Sequence, residues 1–522
     1  MFRFFVKILF LLITMLHTTL SSASDSTRWN TFNSKLQLHN TNRWLTTANA
    51  AGIFFNTNPR YTSFEGSYEL MNGAFHKVHD TDNGNLTKIK AEGYNSINDR
   101  LVLYGNFSYQ KTNKDSIRWN ATYDPYKGSP YIIADTLTGA SYTYEDYNLQ
   151  GKAAFQFSDS WIIGGNISYY AAIAAKALDP RPENTVNGID ISPSLIYQTS
   201  SFKIGFNIGI HTSKEVIDYK VEKTNFNYSY FYFKGFGFYT RAIDQQTSRY
   251  QSQNNLYAAL QIENQFNDLK SLTEIQFNKG IQQTDDERVK NKKLYAGDWE
   301  STNANFSQHF KWTPNKVTHL LDFKADFLSG KGIEYTQNKK ESGDLTEYIT
   351  IAKNKKYTQK KLDGKLDYTF LKKHKNGFQN WMIKITTLAS HHAEKYYYIP
   401  EIFSMSYFNL GTSAMFHKNF YPGKFHFCPT IKGQYFKNIN KKLVLHNDPE
   451  ITKYQQIDLF LADFNYNTTD VFQSEANLKI GYSHGDIKSI DQVYVDIGAV
   501  YTKPTKTNQK YLNITFKLGV LF

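Results

Sequence analysis

Residues Tyr511 to Phe522 run YLNITFKLGVLF, with Leu512, Ile514, Phe516, Leu518, Val520 and Phe522 at every second position. Asn513, Thr515, Lys517 and Gly519 fall between them. Successive side chains of a strand point to opposite faces, so this stretch has one apolar face and one largely polar face. The pattern recurs along the chain. LVLYGNFSYQK (101–111) sets Leu101, Leu103, Phe107 and Tyr109 on one face, and FKIGFNIGIH (202–211) does the same with Phe202, Ile204, Phe206, Ile208 and Ile210. KLDGKLDYTF (361–370) opposes Leu362, Leu366, Tyr368 and Phe370 to Lys361, Asp363, Lys365 and Asp367. Charges at consecutive positions of one face cannot all enter a dry core. Two architectures satisfy such strands: a sandwich with one wetted face, or a barrel with lipid outside and water inside.

The connections favour the barrel. Short turns at 96–100, 158–160, 199–201, 266–270, 313–316, 372–377, 418–423 and 484–490 alternate with mostly longer connections near 112–146, 174–187, 214–253, 284–300, 329–357, 392–402 and 438–470. Short turns on one rim and long loops on the other are the outer-membrane pattern, periplasmic and extracellular respectively. From about Tyr61 the alternation marks eighteen strands, an even number as single-chain bacterial barrels require, with fourteen and sixteen within boundary error. The expected fold is all-β: a transmembrane antiparallel β-barrel over residues 61–522, closed by pairing its last strand with its first.

Composition agrees. Aromatics are 16% of the chain, with 38 Tyr and 39 Phe, which suits strands and interfacial girdles. Mean hydropathy is −0.54, and no apolar run of helix-spanning length follows residue 23. Residues 1–23 have the form of a signal peptide: Arg3 and Lys7, an apolar stretch, then Ser21-Ser22-Ala23. No Cys follows that site to carry a lipid anchor, and the single Cys428 excludes an internal disulfide and a cysteine-built metal cage. The net charge of +13 raises the question of nucleic acid. The polar strand faces nevertheless carry ten lysines (152, 203, 324, 361, 365, 384, 424, 432, 479, 517) against nine acids (190, 263, 274, 322, 326, 363, 367, 475, 496). The excess sits in connections, no basic groove with interleaved aromatics appears, and nucleic acid is not an expected partner.

Residues 24–60 do not form a strand pair. They carry Trp44, Asn49 and Gly52 among Asn, Thr and Ala. Asn49-Ala50-Ala51-Gly52-Ile53 loosely resembles the Asn-Pro-Ala-Gly-Leu segment of fatty-acid-transporter barrels, with Ala50 in place of Pro. The resemblance implies a lumenal plug; a periplasmic tail or a further strand are the alternatives. Over the full length, the order NAAGI (49–53), KAEGY (90–94), DPY (124–126), DPRP (179–182) and an aromatic loop near 226–239 resembles a Bacteroidota outer-membrane β-barrel family of unknown function. That resemblance implies a signal peptide, a barrel, an outer-membrane address and genes near TonB-dependent receptors. It implies no substrate.

Four further constellations stand out. TNFNYSYFYFKGFGFY (224–239) contains Phe226, Tyr228, Tyr230, Tyr232, Phe236, Phe238 and Tyr239 in the longest outer loop. Packing of the loop on its own aromatics, as an extension of the flanking strands, is favoured over a ligand-gripping surface. His391 and His392 fall on opposite faces of a strand and do not share one ion easily. Asp285-Asp286-Glu287 lies in an expected outer loop, with no Gly-x-Ser-x-Gly elbow or visible triad to make an enzyme of it. Asp179-Pro180-Arg181-Pro182 has the form of a rigid turn. No catalytic, cofactor or metal residue is assigned. The expected function is solute uptake or a channel role. The alternative is a non-conducting surface protein that binds a ligand or partner receptor through its outer loops. Expected partners are outer-membrane lipid, the barrel assembly machinery, and a TonB-dependent receptor or small solute.

Overall fold

The alternating segments become strands because each can give its apolar face to lipid while every backbone N–H and C=O pairs with a neighbouring strand, the requirement for any sheet in a bilayer. The computed structural model describes residues 42–55, 61–135, 139–223, 225–244, 246–289, 292–314, 317–342, 345–373, 379–483 and 490–522. The expected signal peptide, the expected N-terminal segment before residue 42, and residues 56–60 lie outside the described residues.

In chain order the first strands are β1 (Tyr61–Gly73), β2 (Asn83–Asn98), β3 (Leu101–Ile117), β4 (Ile133–Ala134), β5 (Ala140–Ser158), β6 (Trp161–Lys176) and β7 (Arg181–Gln198). Next come β8 (Phe202–Lys220), β9 (Tyr228–Gly235), β10 (Phe238–Asp244), β11 (Ser248–Phe266), β12 (Leu269–Val289), β13 (Lys292–Trp312) and β14 (Val317–Ser342). The rest are β15 (Leu345–Lys373), β16 (Gln379–Tyr398), β17 (Glu401–Lys418), β18 (Phe425–Val444), β19 (Val471–Tyr482), β20 (Gln492–Pro504) and β21 (Tyr511–Leu521). Helices α1 (Pro449–Thr452) and α2 (Ile457–Asn467) precede β19.

Eighteen strands, all but β4, β9 and β10, form one antiparallel sheet that closes on itself. The closing seam pairs β1 with β21, from Ser63 opposite Leu521 to Gly73 opposite Tyr511. The final alternating strand therefore completes the ring. Outward residues such as Phe107, Leu149, Ile167, Ile191, Ile208 and Phe277 are exposed and form the lipid-facing belt. An Ile208→Arg change in that belt is expected to cost about 2–4 kcal/mol, depending on depth. Thr515→Arg, on the opposite face of its strand, is expected to cost far less. Denaturant titration of both variants in lipid vesicles checks the difference.

Among the described residues, the inward lysines that form ion pairs meet acids beside them on the wall. Glu263 of β11 meets Lys203 of β8, its direct neighbour. Lys361 and Lys365 pair with Asp363 and Asp367 two residues on, and Lys384 reaches Asp367 from β16. A ring of eighteen strands is too wide for side chains alone to fill.

Strand lengths differ from the sequence expectation on the long-loop side. Residues 284–300 and 329–357 were expected to be largely loop, yet β12–β15 continue as paired ladders, with Gln282 opposite Trp299, Lys331 opposite Thr358 and Lys340 opposite Glu347. Beyond the bilayer a ladder needs no apolar face, so its alternation lapses while its hydrogen bonds persist. The Asp285–Glu287 run accordingly lies within β12.

Candidate functional site

Residues 42–55 lie inside the barrel near the short-turn rim. Asn42 caps a short 3-10 turn, Arg43–Thr46, by accepting from the Trp44 N–H, and a second turn spans Ala50–Phe55. Inward side chains of the wall satisfy these turns. The Arg43 Nη2 donates to Asp322 at 2.7 Å, and the Trp44 indole Nε1 donates to Glu263 at 2.7 Å. The Ala48 N–H reaches Glu274 at 2.9 Å, the Asn49 Nδ2 reaches Gln261 at 2.9 Å, and the Ala51 N–H reaches the Ser194 Oγ at 3.0 Å. Tyr94 donates to the Ile53 carbonyl.

Two glycines permit this approach. A Cβ on Gly164 of β6 would sit 2.4 Å from the Ala51 nitrogen, and one on Gly52 would sit 2.9 Å from the Trp44 Cβ. Trp44, Asn49 and Gly52, the three residues singled out in the sequence, are thus brought together against the wall. The carboxylates that receive the segment, Asp322 for Arg43, Glu263 for Trp44 and Glu274 for Ala48, were legible only as inward charges.

Above this segment is a cavity of about 370 Å³. Thr47 and Ala48 line it from the N-terminal segment, and Gln150, Lys152, Asn166, Asp190, Asn255 and Tyr257 line it from the wall. Asp190 accepts from the Tyr257 hydroxyl at 3.0 Å and from the Asn166 Nδ2 at 3.1 Å. A lining rich in amides and hydroxyls presents both donors and acceptors, which suits a hydrated solute more than an apolar one.

The long-loop end carries a cap built from three connections. The loop after β3 supplies residues 118–135 with β4; the connection between β8 and β11 supplies the β9–β10 hairpin; the connection after β18 supplies α1 and α2. Strands β4, β9 and β10 form a small separate sheet, with Ile133 opposite Tyr232. Aromatic faces weld the parts. Phe236 at the hairpin tip stacks on Phe460 of α2 at 4.1 Å, and Phe238 stacks on Tyr396 of the wall at 4.5 Å. Trp119 meets Phe231 edge-on at 5.0 Å. Asp463 of α2 accepts from the Val78 N–H at 2.8 Å and from the Tyr126 hydroxyl.

Two buried ion pairs tie the cap to the strand ends. Arg249 of β11 grips Asp286 of β12 through Nε at 2.6 Å and Nη2 at 3.0 Å; its Nη1 donates to the Ile132 carbonyl at 2.9 Å, and its guanidinium lies over the Tyr232 ring. Lys176 pairs with Asp135, whose carboxyl burial pushes up to about 6 even beside that cation.

The hairpin places the aromatic residues in three settings. Tyr230, Tyr232, Phe236 and Phe238 are buried, Tyr228 and Tyr239 are half-buried, and Phe226 is exposed. The hairpin does not prolong β8 and β11; it forms its own sheet and turns onto the cap. Between cap and wall is a second cavity of about 530 Å³, lined by Tyr126, Phe236 and Phe460 from the cap and Tyr357, Glu394 and Tyr407 from the wall. The α2 contribution escaped the sequence reading, although Phe460 and Phe464 sit four apart on one helical face behind the Asp448-Pro449 cap of α1.

The remaining candidates separate. His391 is exposed, while His392 points inward, bonded to Glu394 at 2.6 Å and stacked on Tyr407. Arg181 opens β7 and reaches Glu222 at 2.5 Å. Cys428 is buried, with its Sγ 3.2 Å from the His417 Nδ1.

A closed ring of eighteen antiparallel strands, apolar outside and polar within, is an integral β-barrel of the bacterial outer membrane. More narrowly, the chain belongs to DUF6850, a family of unknown function whose sequence profile matches residues 50–522. No curated protein sequence matches it. Among solved structures the barrel is similar to the RagAB peptide importer in its "closed-closed" state, at 7% identity, with 89% of this chain and 87% of that chain covered and a TM-score of 0.42. It is also similar to the copper transporter OprC, at 7% identity, 88% and 80% coverage and a TM-score of 0.41. The outer-membrane transporter YddB from Escherichia coli gives 9% identity, 89% and 81% coverage and a TM-score of 0.40.

Proposed function

We propose that the protein is a gated solute-uptake barrel. Residues 42–55 act as a lumenal plug at the periplasmic end, and the three-part cap acts as the extracellular gate. A small hydrophilic solute occupies the polar space between them. The observation that carries this reading is the docking of residues 42–55 on inward carboxylates and amides, with a polar cavity directly above. A merely structural tail has no need of a space-filling tryptophan bonded to a lumenal glutamate. In this reading the plug blocks ions and solute alike, whereas the cap holds back only the larger solute, so the plugged state conducts little, and opening is triggered by solute or by a partner such as a TonB-dependent receptor.

The test is single-channel conductance in planar bilayers for the full chain and for a chain lacking residues 24–55. The expected result is a quiet full-length barrel and a conducting truncated one. Silence in both, with the barrel shown to be folded by a heat-dependent gel shift, overturns the gated-uptake reading in favour of a non-conducting surface receptor.

A further inference from the structure

The outward face of β14, β15 and β16 carries a cluster that the lumen does not use. Lys360 of β15 stands between Ser329 of β14 and Ala393 of β16. One outward position higher, Thr358 stands between Lys331 and Lys395. Residues two apart on a strand share a face, so the three lysines form a triangle around Thr358. Diagonal neighbours in such a ladder lie about 7–8 Å apart, within reach of long side chains.

All three lysines are exposed. Lys331 pairs with Glu300 at 3.0 Å, whereas Lys360 and Lys395 meet no carboxylate among the described residues. Some other outer-face lysines have companions in the wall: Lys111 pairs with Glu145 at 2.9 Å, and Lys214 lies over the Tyr250 ring. Directly below the triangle come exposed Leu362 and Phe327, the upper edge of the lipid belt on these strands, with exposed His391 opposite Leu362.

Three cations on consecutive strands repel one another. The arrangement is stabilised by a multivalent anion positioned where apolar belt meets water. We propose that this face binds a phosphate of an anionic phosphoglycolipid of the outer leaflet. The phosphate sits among Lys331, Lys360 and Lys395, the Ser329 and Thr358 hydroxyls supply hydrogen bonds, and the acyl chains lie against Leu362 and Phe327. Continuity with the belt selects a lipid over a soluble anion, since a free phosphate makes no use of the apolar edge. The site is independent of whether the lumen conducts.

The test places the full-length barrel in nanodiscs of phosphatidylethanolamine containing a small fraction of bisphosphorylated lipid A, with retained lipid A counted by native mass spectrometry. The triple variant Lys331→Ala, Lys360→Ala, Lys395→Ala is expected to retain lipid A about a hundredfold more weakly, at about fivefold for each lysine near the surface. The triple Lys→Arg variant is expected to retain it, and dephosphorylated lipid A is expected to bind the native barrel as poorly as the alanine variant binds the phosphorylated form. A heat-dependent gel shift confirms that each variant folds. Equal retention by the alanine variant, equal binding of dephosphorylated lipid A, or displacement of lipid A by inorganic phosphate alone overturns the proposal.

Discussion

Trp44→Ala is expected to release the N-terminal segment from the lumen. The indole is almost wholly buried, bonds Glu263 through Nε1, packs against Phe55 at 5.2 Å between ring centres, and lies under Gly52. Truncating a buried tryptophan costs about 3–5 kcal/mol, and each 1.4 kcal/mol is about tenfold in an equilibrium. The ratio of docked to undocked segment therefore falls by about two to three and a half orders of magnitude. The Ala48 and Ala51 amides, which donate to Glu274 and Ser194, report that ratio by hydrogen exchange. Their exchange is expected to accelerate by the same factor, with the barrel strands unaffected. Trp44→Phe keeps most of the packing and loses the bond to Glu263, for a smaller loss of about 1–3 kcal/mol. If Ala48 and Ala51 exchange at native rates in Trp44→Ala, the indole does not hold the segment in place.

The barrel was legible because the bilayer imposes a period of two that few other environments demand. The run from Leu362 to Phe370 shows lipid side and lumen side in one glance, and the register of β15 with β14 and β16 preserves that division across the seam. The same cause explains the errors. Residues 284–300 and 329–357 pass above the lipid, where nothing selects apolar outward positions, so ladder and loop look alike in sequence. How the inward charges pair was not legible, because composition gives the number of charges and not the width of the ring. Lys361 reaches Asp363 beside it long before any group on the far wall.

The site was legible in fragments. Trp44, Asn49 and Gly52 stood out because a large aromatic, an amide and a glycine in a segment without strand period need a specific seat. Their seats did not stand out: Gln261, Ser194 and Gly164 are ordinary strand residues until the fold places them beside the segment. The aromatic run from Phe226 to Tyr239 was visible by density alone. Its partners Trp119, Tyr396 and Phe460 lie in the loop after β3, in β16 and in α2, and only the closed ring brings those onto one rim.

Arg249→Met is expected to unfasten the cap. Arg249 and Asp286 are each about 1% exposed, they face each other directly across β11 and β12, and the guanidinium also holds the Ile132 carbonyl and the Tyr232 ring. Removing the cation strands the Asp286 carboxylate in a buried site, which costs about 3–5 kcal/mol. Opening lets water reach that carboxylate, so the cost appears as cap opening: amide exchange across 118–135 and 228–244 is expected to rise by about two to three and a half orders of magnitude. The double variant Arg249→Met, Asp286→Leu removes the stranded charge as well. A buried pair replaced by apolar groups of similar volume is often neutral, so the double variant is expected to recover most of the native protection. The residual loss is about 1 kcal/mol for the donor taken from Ile132. Failure of the double variant to recover would show that the contacts to Ile132 and Tyr232, and not the compensation of Asp286, fasten the cap. Native exchange in the single variant would mean that the aromatic contacts of Phe236 and Phe238 hold it without help from the ion pair.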